Sequence, residues 1–430
     1  MTAIEAATAG GIAGGRQAVH TVYGGAHLFR ADTAPRLGVL ALRALEEYAT
    51  TAEEFARVLE LPTALAEAIY ARVSDKLRRE PVEDLRIDFE DGYGHRSDAE
   101  EDGHAVSAAR EMASGLAAGT LPPFCGIRIK SLSTELAPRS LRTLDLFLGA
   151  LRESAAGAWP PGFVITLPKI LGPQAVAALA DALDVQEQKL RLESGTVPIE
   201  LMIETPQSVF SAAGTAAPPG LVGAGRGRVR SAHFGTYDYT ASLDITAEHQ
   251  HMTHPACDFA KHVLQVSLAG TGVRLSDGAT NILPVPHHRA AEGGPPITAR
   301  QLGENRQVVH AAWKLHADHI RHSLVGAYYQ GWDLHPAQLP TRYATVFAFF
   351  LEGLDAAAAR LSNFLDQAAQ ATLVGEVFDD AATGQALLSH FLRAINCGAI
   401  DEAEAVARTG LTLEDYQTRS FLRILERRRG

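Results

Sequence analysis

Cysteine is scarce in this sequence, with three residues among 430. Cys125, Cys257 and Cys397 lie far apart in the chain, and no two of them form a Cys-x-x-Cys pair. Disulfide-framework proteins carry more cysteines at closer spacing, so that class of fold is excluded. Few and isolated cysteines are typical of a reducing compartment, and we therefore expect a cytoplasmic protein.

Basic charge is also scarce. The chain has 39 lysines and arginines against 50 aspartates and glutamates, which gives a formal net charge of -11 at pH 7. Nucleic acids and anionic membranes bind basic patches, so this balance argues against both as partners. No apolar stretch reaches the ~20 residues that a membrane-spanning helix needs. The segment from Met1 to Gly15 has no basic part followed by an apolar core, so we expect a flexible leader over residues 1–17 and no signal peptide.

The sequence does contain a regular alternation of strand-like and helix-like segments. The strand-like segments are Ala18–Tyr23, Leu85–Phe89, Gly126–Ile129, Phe163–Ile170, Val197–Ile203, Val229–Phe234, Val273–Leu275 and Ala327–Leu334. Strands that alternate with helices predict right-handed βαβ units and a parallel sheet. Eight such units predict a closed (β/α)₈ TIM barrel. An open doubly wound sheet is the alternative, but it gives no reason for acidic residues at so many strand ends.

The helix-like segments fill the intervals, and the sequence changes in character after Pro340. The helix-like segments before that point are Leu37–Ala71 (predicted as two helices), Ala99–Ala118, Arg139–Ala155, Pro173–Glu193, Ala256–Ala269 and Ala299–Val325. After it come the alanine-rich stretch Arg342–Leu365 and the segments Gly384–Cys397 and Ile400–Ala407. We predict a barrel domain over residues 18–340 and an α-helical C-terminal extension over residues 341–430. The Gly- and Pro-rich stretches Gly214–Gly227 and Ala290–Pro296 are predicted as loops.

Two of the strand-like segments stop abruptly at an acid. Glu204 follows Val197–Ile203, and Asp238 follows Val229–Phe234 after three residues. Burying an unpaired carboxylate is unfavourable by roughly several kcal/mol, so acids at the ends of buried strands need a partner. Oxygen ligands suit hard divalent cations, and Mg²⁺ typically binds only one or two protein carboxylates. Glu204 and Asp238 are therefore predicted to hold Mg²⁺ or Mn²⁺, with pairing to loop amides or arginines as the structural alternative.

Charged residues also follow other strands, at what would be the same rim of the barrel. They are Glu90 and Asp91 after the second strand, Arg128 at the third, Lys169 after the fourth and Asp277 after the seventh. Cleaving a carbon–carbon bond beside a carbonyl leaves an enolate, which a divalent cation stabilises as a Lewis acid and a guanidinium stabilises as a forked donor. Arg128 is the candidate for the second role, with an ion pair to Glu90 as the alternative. Asp277, His95 and a metal-bound water are candidates for moving the proton, and helix capping is the alternative role of Glu90 and Asp91.

Six short segments carry a family resemblance. They are FEDG at Phe89–Gly92, GIRIK at Gly126–Lys130, LPK at Leu167–Lys169, IETP at Ile203–Pro206, FGTYD at Phe234–Asp238 and GWDLHPAQ at Gly331–Gln338. In this order and spacing they resemble the citrate lyase β-subunit and HpcH/HpaI-type aldolases, within the phosphoenolpyruvate/pyruvate barrel superfamily that also holds malate synthase. The resemblance covers roughly residues 18–340.

The resemblance implies roles for residues of the rim. It implies Mg²⁺ or Mn²⁺ at Glu204 and Asp238, a carboxylate- and oxyanion-binding role for Arg128, and water- or base-holding roles for Glu90 and Asp91. With Asp277 added, the predicted catalytic residues are Arg128, Glu90, Asp91 and Asp277, and the predicted substrate contacts are Arg128, Lys169, Gly235 and Thr236. Members of the family are commonly trimers or hexamers, so a homo-oligomer is expected. The segment Gly92–His95 departs from the family pattern, in which small apolar residues follow the acidic pair.

The predicted activity is that of a divalent-metal-dependent carbon–carbon lyase or aldolase. It would act on a small hydroxy or oxo acid, or on its coenzyme A thioester, through a metal-stabilised enolate. A malate-synthase-like Claisen condensation of acetyl-CoA with glyoxylate and a non-catalytic scaffold subunit are the alternatives. Lys169 could instead form a Schiff base in a metal-free aldolase, and His249, His251 and His254 could share a zinc ion. The two acids at adjacent strand ends favour the metal–enolate hypothesis over these last two.

Overall fold

The computed structural model describes residues 15–290, 295–367, 372–374, 377–379, 381–418, 423–424 and 426–427. Most of the predicted leader over residues 1–17 lies outside these described residues, and so does the middle of the predicted loop Ala290–Pro296. No helix within the described ranges is both long and apolar enough to cross a membrane.

Eight parallel strands form one sheet that closes on itself. They are β1 (His20–Gly25), β2 (Asp84–Asp88), β3 (Phe124–Arg128), β4 (Phe163–Leu167), β5 (Ile199–Ile203), β6 (Val229–Phe234), β7 (Arg274–Ser276) and β8 (Gly331–Asp333). Neighbours pair in the order β7-β6-β5-β4-β3-β2-β1-β8. Between β7 and β8, the Asp277 N–H donates to Gln330 O over 2.8 Å and the Trp332 N–H donates to Gly278 O over 3.1 Å. These two bonds complete the ring, so the predicted (β/α)₈ TIM barrel is confirmed.

Helices surround the barrel and continue after it. Those that precede β8 are α1 (Thr33–Tyr48), α2 (Ala52–Leu59), α3 (Ala66–Arg79), α4 (Asp98–Ala118), α5 (Ala137–Ser154), α6 (Pro173–Leu190), α7 (Pro206–Val209), α8 (Pro218–Ala224), α9 (Thr236–Ser242), α10 (Pro255–Leu268) and α11 (Ala299–Val325). After β8 come α12 (Leu339–Leu351), α13 (Leu354–Asp366), the antiparallel strands β9 (Thr372–Val374) and β10 (Val377–Asp379), α14 (Ala381–Cys397), α15 (Glu402–Thr409) and α16 (Leu413–Thr418).

The ends of α4 show how the sequence sets helix limits. Ser97 and Glu100 form a capping box, in which each side chain accepts a hydrogen bond from the other residue's backbone N–H. This arrangement satisfies two N–H groups that the first turn leaves without a partner. The helix ends at Gly119, whose φ of 68° is in the left-handed region that glycine adopts without strain.

The hydrophobic core lies between the barrel and its helices. The outward residues of the strands, such as Ile165 and Leu201, are fully buried under the helices. The helix α12 is buried on nearly every side, and it packs against α11 and α3. The first helix after β8 is thus part of the outer layer of the barrel. The predicted division between residues 340 and 341 falls inside α12, and it stays a prediction.

Ion pairs fill the middle of the barrel. Arg86 lies between Asp84 and Glu200, with its Nη2 3.2 Å from Glu200 Oε2. Glu200 also accepts hydrogen bonds from Thr166 Oγ1 at 2.8 Å and from Ser231 Oγ at 2.7 Å. The interiors of TIM barrels are usually filled by branched aliphatic side chains. This barrel instead has a charged interior, formed by Asp84, Arg86 and Glu200.

The structure corrects several predictions about local elements. The stretch Leu37–Ala71, predicted as two helices, spans parts of three, because breaks follow Tyr48 and Leu59. The stretch Gly214–Gly227, predicted as a loop, contains α8, whose prolines at the first turn are compatible with a helix start. The last strand-like segment, Ala327–Leu334, is a strand over three residues only.

The C-terminal extension is helical as predicted, but its elements differ in detail from the predicted ones. The stretch Arg342–Leu365 is divided between α12 and α13 at Gly353, which has a φ of 71°. The predicted α-helical character of the extension is confirmed by α13, α14, α15 and α16, and the extension also includes the strand pair β9 and β10. Helical periodicity in the flanking segments carries no information about a short pair of strands between them.

Candidate active site

Glu204 and Asp238 lie at the carboxyl ends of adjacent strands. Glu204 directly follows β5 and is buried, while Asp238 is in the first turn of α9, after β6, with 42% of its side chain exposed. Burial and the neighbouring negative charge of Asp238 raise the pKa of Glu204 to about 8. A buried carboxylate whose pKa is raised in this way needs a positive charge beside it to stay ionised at neutral pH.

Lys169 supplies part of that charge. Its backbone N–H donates to Glu204 Oε1 over 2.7 Å, and its ammonium contacts Glu90 directly. The same ammonium is 3.0 Å from Asp91 Oδ2 and 3.8 Å from Asp238 Oδ2. Burial opposes the charge, but the surrounding carboxylates outweigh it and raise the pKa of Lys169. The structure therefore brings five predicted site residues into one cluster, centred on Lys169.

Arg128 joins the cluster from β3. Its Nε and Nη2 donate to the two oxygens of Asp88 at 2.7 and 2.5 Å, and its Nη1 is 3.2 Å from Glu90 Oε2. The guanidinium carbon lies 4.9 Å from the centre of the Tyr23 ring and 5.7 Å from that of Trp332. The carboxylate of Asp88 fixes the edge of the guanidinium, and the two rings, whose centres are 4.3 Å apart, lie together on one side of it, so Arg128 is held in place.

Asp88, Tyr23 and Trp332 are the residues that the sequence predictions missed. Asp88 also accepts the backbone N–H groups of Glu90 and Gly92, at 3.0 and 2.7 Å, and so shapes the loop after β2. Its signal in the sequence is the period-two spacing of Asp84, Arg86 and Asp88, which places three charged side chains on one face of a strand. For the aromatic rings we find no comparable signal, because their partner lies on another strand.

Glu90 and Asp91 have different environments. Only 9% of the Glu90 side chain is exposed, against 59% for Asp91. Burial raises the pKa of Glu90 despite the two cations beside it. For Asp91, the pull of Lys169 outweighs burial and lowers the pKa. The helix-capping alternative does not describe either residue, since Ser97 is the cap of α4.

Gly235 lines the same cluster, whereas Thr236, the first residue of α9, has its Oγ1 beside Gly278. A Cβ atom on Gly235 would lie 2.6 Å from Glu204 Cβ and 2.8 Å from Glu204 Oε2. Only glycine leaves room for Glu204 at this position. Thr236 is buried, and its Oγ1 has no hydrogen-bond partner among the described residues.

Asp277 and His95 do not reach the cluster. Asp277 is fully buried, with Oδ2 accepting from Lys261 Nζ at 3.1 Å and from Ser323 Oγ at 2.6 Å, while Oδ1 accepts the Gly278 N–H. His95 is exposed, and within the described ranges no hydrogen bond or ion pair joins it to the cluster. The structure thus gives neither residue a contact with the other predicted catalytic residues.

The side chains of the described residues limit the kind of metal site that is possible. Among the described residues, no group of three or more His, Cys, Asp or Glu side chains is arranged as a metal site. That finding speaks against a zinc site at His249, His251 and His254, which the sequence left open as an alternative. Mg²⁺ needs only one or two carboxylates and completes its shell with water and substrate. Glu204 and Asp238 fit that requirement, since no described residue donates a hydrogen bond to Glu204 Oε2.

Comparison with protein families gives one match. The family model described as Domain of unknown function (DUF6986) matches residues 3–424. The chain belongs to this family. Comparison with curated proteins gives no match.

Solved structures show where the fold recurs. The DUF6986 chain is similar to a citrate lyase from Burkholderia xenovorans LB400, at 19% sequence identity and a TM-score of 0.53, over 79% of this chain and 92% of that one. It also matches CitE from Mycobacterium tuberculosis in complex with magnesium, acetoacetate and coenzyme A, at 14% identity and a TM-score of 0.46, over 90% and 99% of the two chains. The Haloferax volcanii malate synthase magnesium/glyoxylate complex matches at 14% identity and a TM-score of 0.45, over 94% and 97%. TM-scores below 0.5 do not establish a shared fold. Of these three structures, the citrate lyase has a TM-score above that value, and the likeness to it concerns the fold.

Proposed function

We propose that this protein is a divalent-metal-dependent carbon–carbon lyase or aldolase that acts on a small hydroxy or oxo acid, or on its coenzyme A thioester. The observation that carries the proposal is the pair Glu204 and Asp238 at adjacent strand ends. Burial and the second charge raise the pKa of Glu204 to about 8, so a cation beside it would favour its ionised form. Perturbed carboxylates at the carboxyl end of a TIM barrel are typical of a catalytic centre.

Glu204 and Asp238 would hold Mg²⁺ or Mn²⁺. When bound, such a cation supplies Lewis-acid stabilisation of the negative charge that develops on an enolate oxygen. The residues of the chain would bind the substrate beside it.

Arg128 would orient an oxyanion or carboxylate of the substrate. Asp88 holds its Nε and Nη2, which leaves Nη1 as the donor nearest the cluster. Glu90 lies 3.2 Å from Nη1 and would give way to a substrate oxygen. A guanidinium held in this way binds without first losing orientational freedom, which favours both affinity and rate.

Glu90 is the group best placed to move a proton. It is buried, its pKa is raised by that burial, and it contacts both Arg128 and Lys169. A carboxyl group whose pKa is moved towards neutrality suits general acid–base catalysis. The Claisen alternative would need a free carboxylate base, and the two oxygens of Asp277 are already engaged. The geometry therefore supports the lyase better.

Titration calorimetry would test the proposal. Mg²⁺ and Mn²⁺ are titrated into the full chain, and pyruvate, oxaloacetate and glyoxylate are then added in turn. The variant is Glu204→Ala, and the matched control is Glu193→Ala, which removes an exposed glutamate. We expect metal-dependent binding of one oxo acid by wild type and control, and its loss in Glu204→Ala with unchanged circular dichroism. A folded wild type that binds neither cation would overturn the proposal.

A further inference from the structure

The amino-terminal end of the barrel, opposite the candidate active site, opens into a cavity of about 390 Å³. Its rim includes residues at the starts of strands, among them Phe124, Phe163, Val229 and Arg274. Its inner wall reaches Arg86 and Glu200 in the middle of the barrel. Small-molecule sites usually measure roughly 300–1,000 Å³, so the cavity has room for a small metabolite.

Arg274 is the unusual residue of this cavity. It begins β7, where it is paired in register with Ser231 and so shares the inward face of the sheet. Among the described residues no carboxylate lies within ion-pair distance of its guanidinium, whose carbon is 5.9 Å from the centre of the Phe124 ring. Burial lowers the pKa of Arg274, and the charge of Asp84 offsets this only in part.

Other arginines of the barrel show how different Arg274 is. Arg86, Arg128, Arg228 and Arg342 are buried, and each of them contacts at least one carboxylate at 3.2 Å or less. Removing a guanidinium from water without such a partner is unfavourable. A half-buried and unpaired arginine that faces a cavity is therefore a ready partner for an anion.

The other charged residues of the cavity determine whether its net charge favours an anion. Asp84 and Glu200 are both paired with Arg86. Arg230, at the rim, donates to the backbone carbonyls of Gly227 and Val229, and within the described ranges it too contacts no carboxylate. With both acids ionised, the lining has two negative and three positive charges, a net charge of +1, and Arg230 and Arg274 are its two arginines without a carboxylate contact among the described residues.

We propose that this cavity binds a small oxyanion, either a carboxylate or a phosphate, with Arg274 as its principal ligand and Arg230 at the rim. The planar fork of a guanidinium matches both groups, through two parallel N–H···O bonds. This site is separate from the cluster centred on Lys169, which lies at the other end of the barrel. A negative result for anion binding at this cavity would therefore not count against the proposed function.

The test is titration calorimetry on the full chain after treatment with a chelating resin. Citrate and inorganic phosphate are titrated separately into wild type, Arg274→Leu and the control Arg300→Leu, whose arginine is 86% exposed. We expect saturable binding of one anion to wild type and control, weakened at least about tenfold in Arg274→Leu, equivalent to ~1.4 kcal/mol. Whichever of the two anions binds assigns the carboxylate or the phosphate class.

Two outcomes would overturn the proposal. One is a wild type that binds neither anion, and the other is an Arg274→Leu variant that binds as tightly as the control. Circular dichroism would show whether Arg274→Leu is folded. If it is not, Arg274→Lys keeps the charge but loses the fork, and unchanged affinity in that variant would count equally against the proposal.

Discussion

The backbone N–H of Lys169 donates to Glu204 Oε1 at 2.7 Å, while the ammonium of the same lysine contacts Glu90. One residue thus fixes a candidate metal ligand through its backbone and neutralises another acid through its side chain. This double role coincides with a φ of 51° at Lys169, a conformation that is uncommon outside glycine. Backbone strain of this kind persists where surrounding contacts over-determine it, and it clusters at functional sites.

Lys169 should not form a Schiff base. Its pKa is raised by the surrounding carboxylates, against the opposing effect of burial, so the amine stays protonated and cannot attack a carbonyl. We expect no mass increase when the protein is treated with pyruvate and sodium borohydride and examined by intact-mass spectrometry. A known Schiff-base aldolase serves as the positive control. A reduced adduct located at Lys169 would revive the metal-free mechanism.

Gly235→Ala should lower the affinity for Mg²⁺ in a protein that still folds. The added Cβ would meet Glu204 at 2.6 Å and displace its carboxylate. We expect Mg²⁺ affinity to fall at least about tenfold in calorimetry, which is ~1.4 kcal/mol. Gly220→Ala is the matched control, because nothing lies within 4 Å of the Cβ that it would add. Equal affinities in the two variants would show that Glu204 does not hold the cation.

Asp277→Asn should lower the free energy of unfolding. Asp277 is the fully buried partner of Lys261, and removing its charge leaves this buried lysine with the partly exposed Asp258 alone, at a loss of about 3 kcal/mol. Asp258→Asn is the control on the same lysine, since Asp258 lies 3.2 Å from it but is 30% exposed, and it should change stability by less than about 1 kcal/mol. Urea unfolding measures both. Unchanged stability of Asp277→Asn together with lost turnover would instead return Asp277 to the catalytic residues.

His233 should make the protein sensitive to acid. Burial lowers its pKa from 6.5 to about 4, so between these values the unfolded chain binds the proton and the folded chain does not. The free energy of unfolding therefore falls as the pH drops from 6.5 to 4, by up to about 3 kcal/mol from this residue.

His233→Leu would remove that contribution. Urea unfolding at pH 7, 5.5 and 4.5 should show a smaller loss of stability with falling pH than in wild type. His249→Leu, at an exposed position, should keep the wild-type dependence. The same dependence in all three proteins would show that His233 is not held neutral by burial.

The order of the elements was readable from the sequence because apolar runs and turn residues are local signals. The limits of β6, Val229–Phe234, agree with the prediction, as do those of α11. β8 covers three residues of the strand-like segment Ala327–Leu334, and Tyr328 of that segment instead donates its hydroxyl to Lys261 O over 2.8 Å. Gly353 divides a continuous apolar stretch into two helices, and its effect depends on a backbone conformation that composition does not specify.

The site was predictable in its acids and cations and not in their partners. Glu90, Lys169 and Glu204 were found because each follows a strand, and parallel strands end at one rim. The engagement of Asp277 with Lys261 and Ser323 could not be foreseen, since it joins residues from β7, α10 and α11 whose distance depends on packing. The same holds for the rings of Tyr23 and Trp332 over Arg128.

The charged interior of the barrel has a consequence for how this family can diverge. Among the described residues, Arg86 is the one cation that contacts both Asp84 and Glu200, so changing Arg86 alone leaves two buried carboxylates without this partner, at a loss of about 3–5 kcal/mol. Replacing all three by apolar side chains of similar volume can be nearly neutral. Evolution therefore has no single-step route from this interior to an aliphatic one. We expect Arg86 to be inherited together with at least one of its two acids, Asp84 or Glu200.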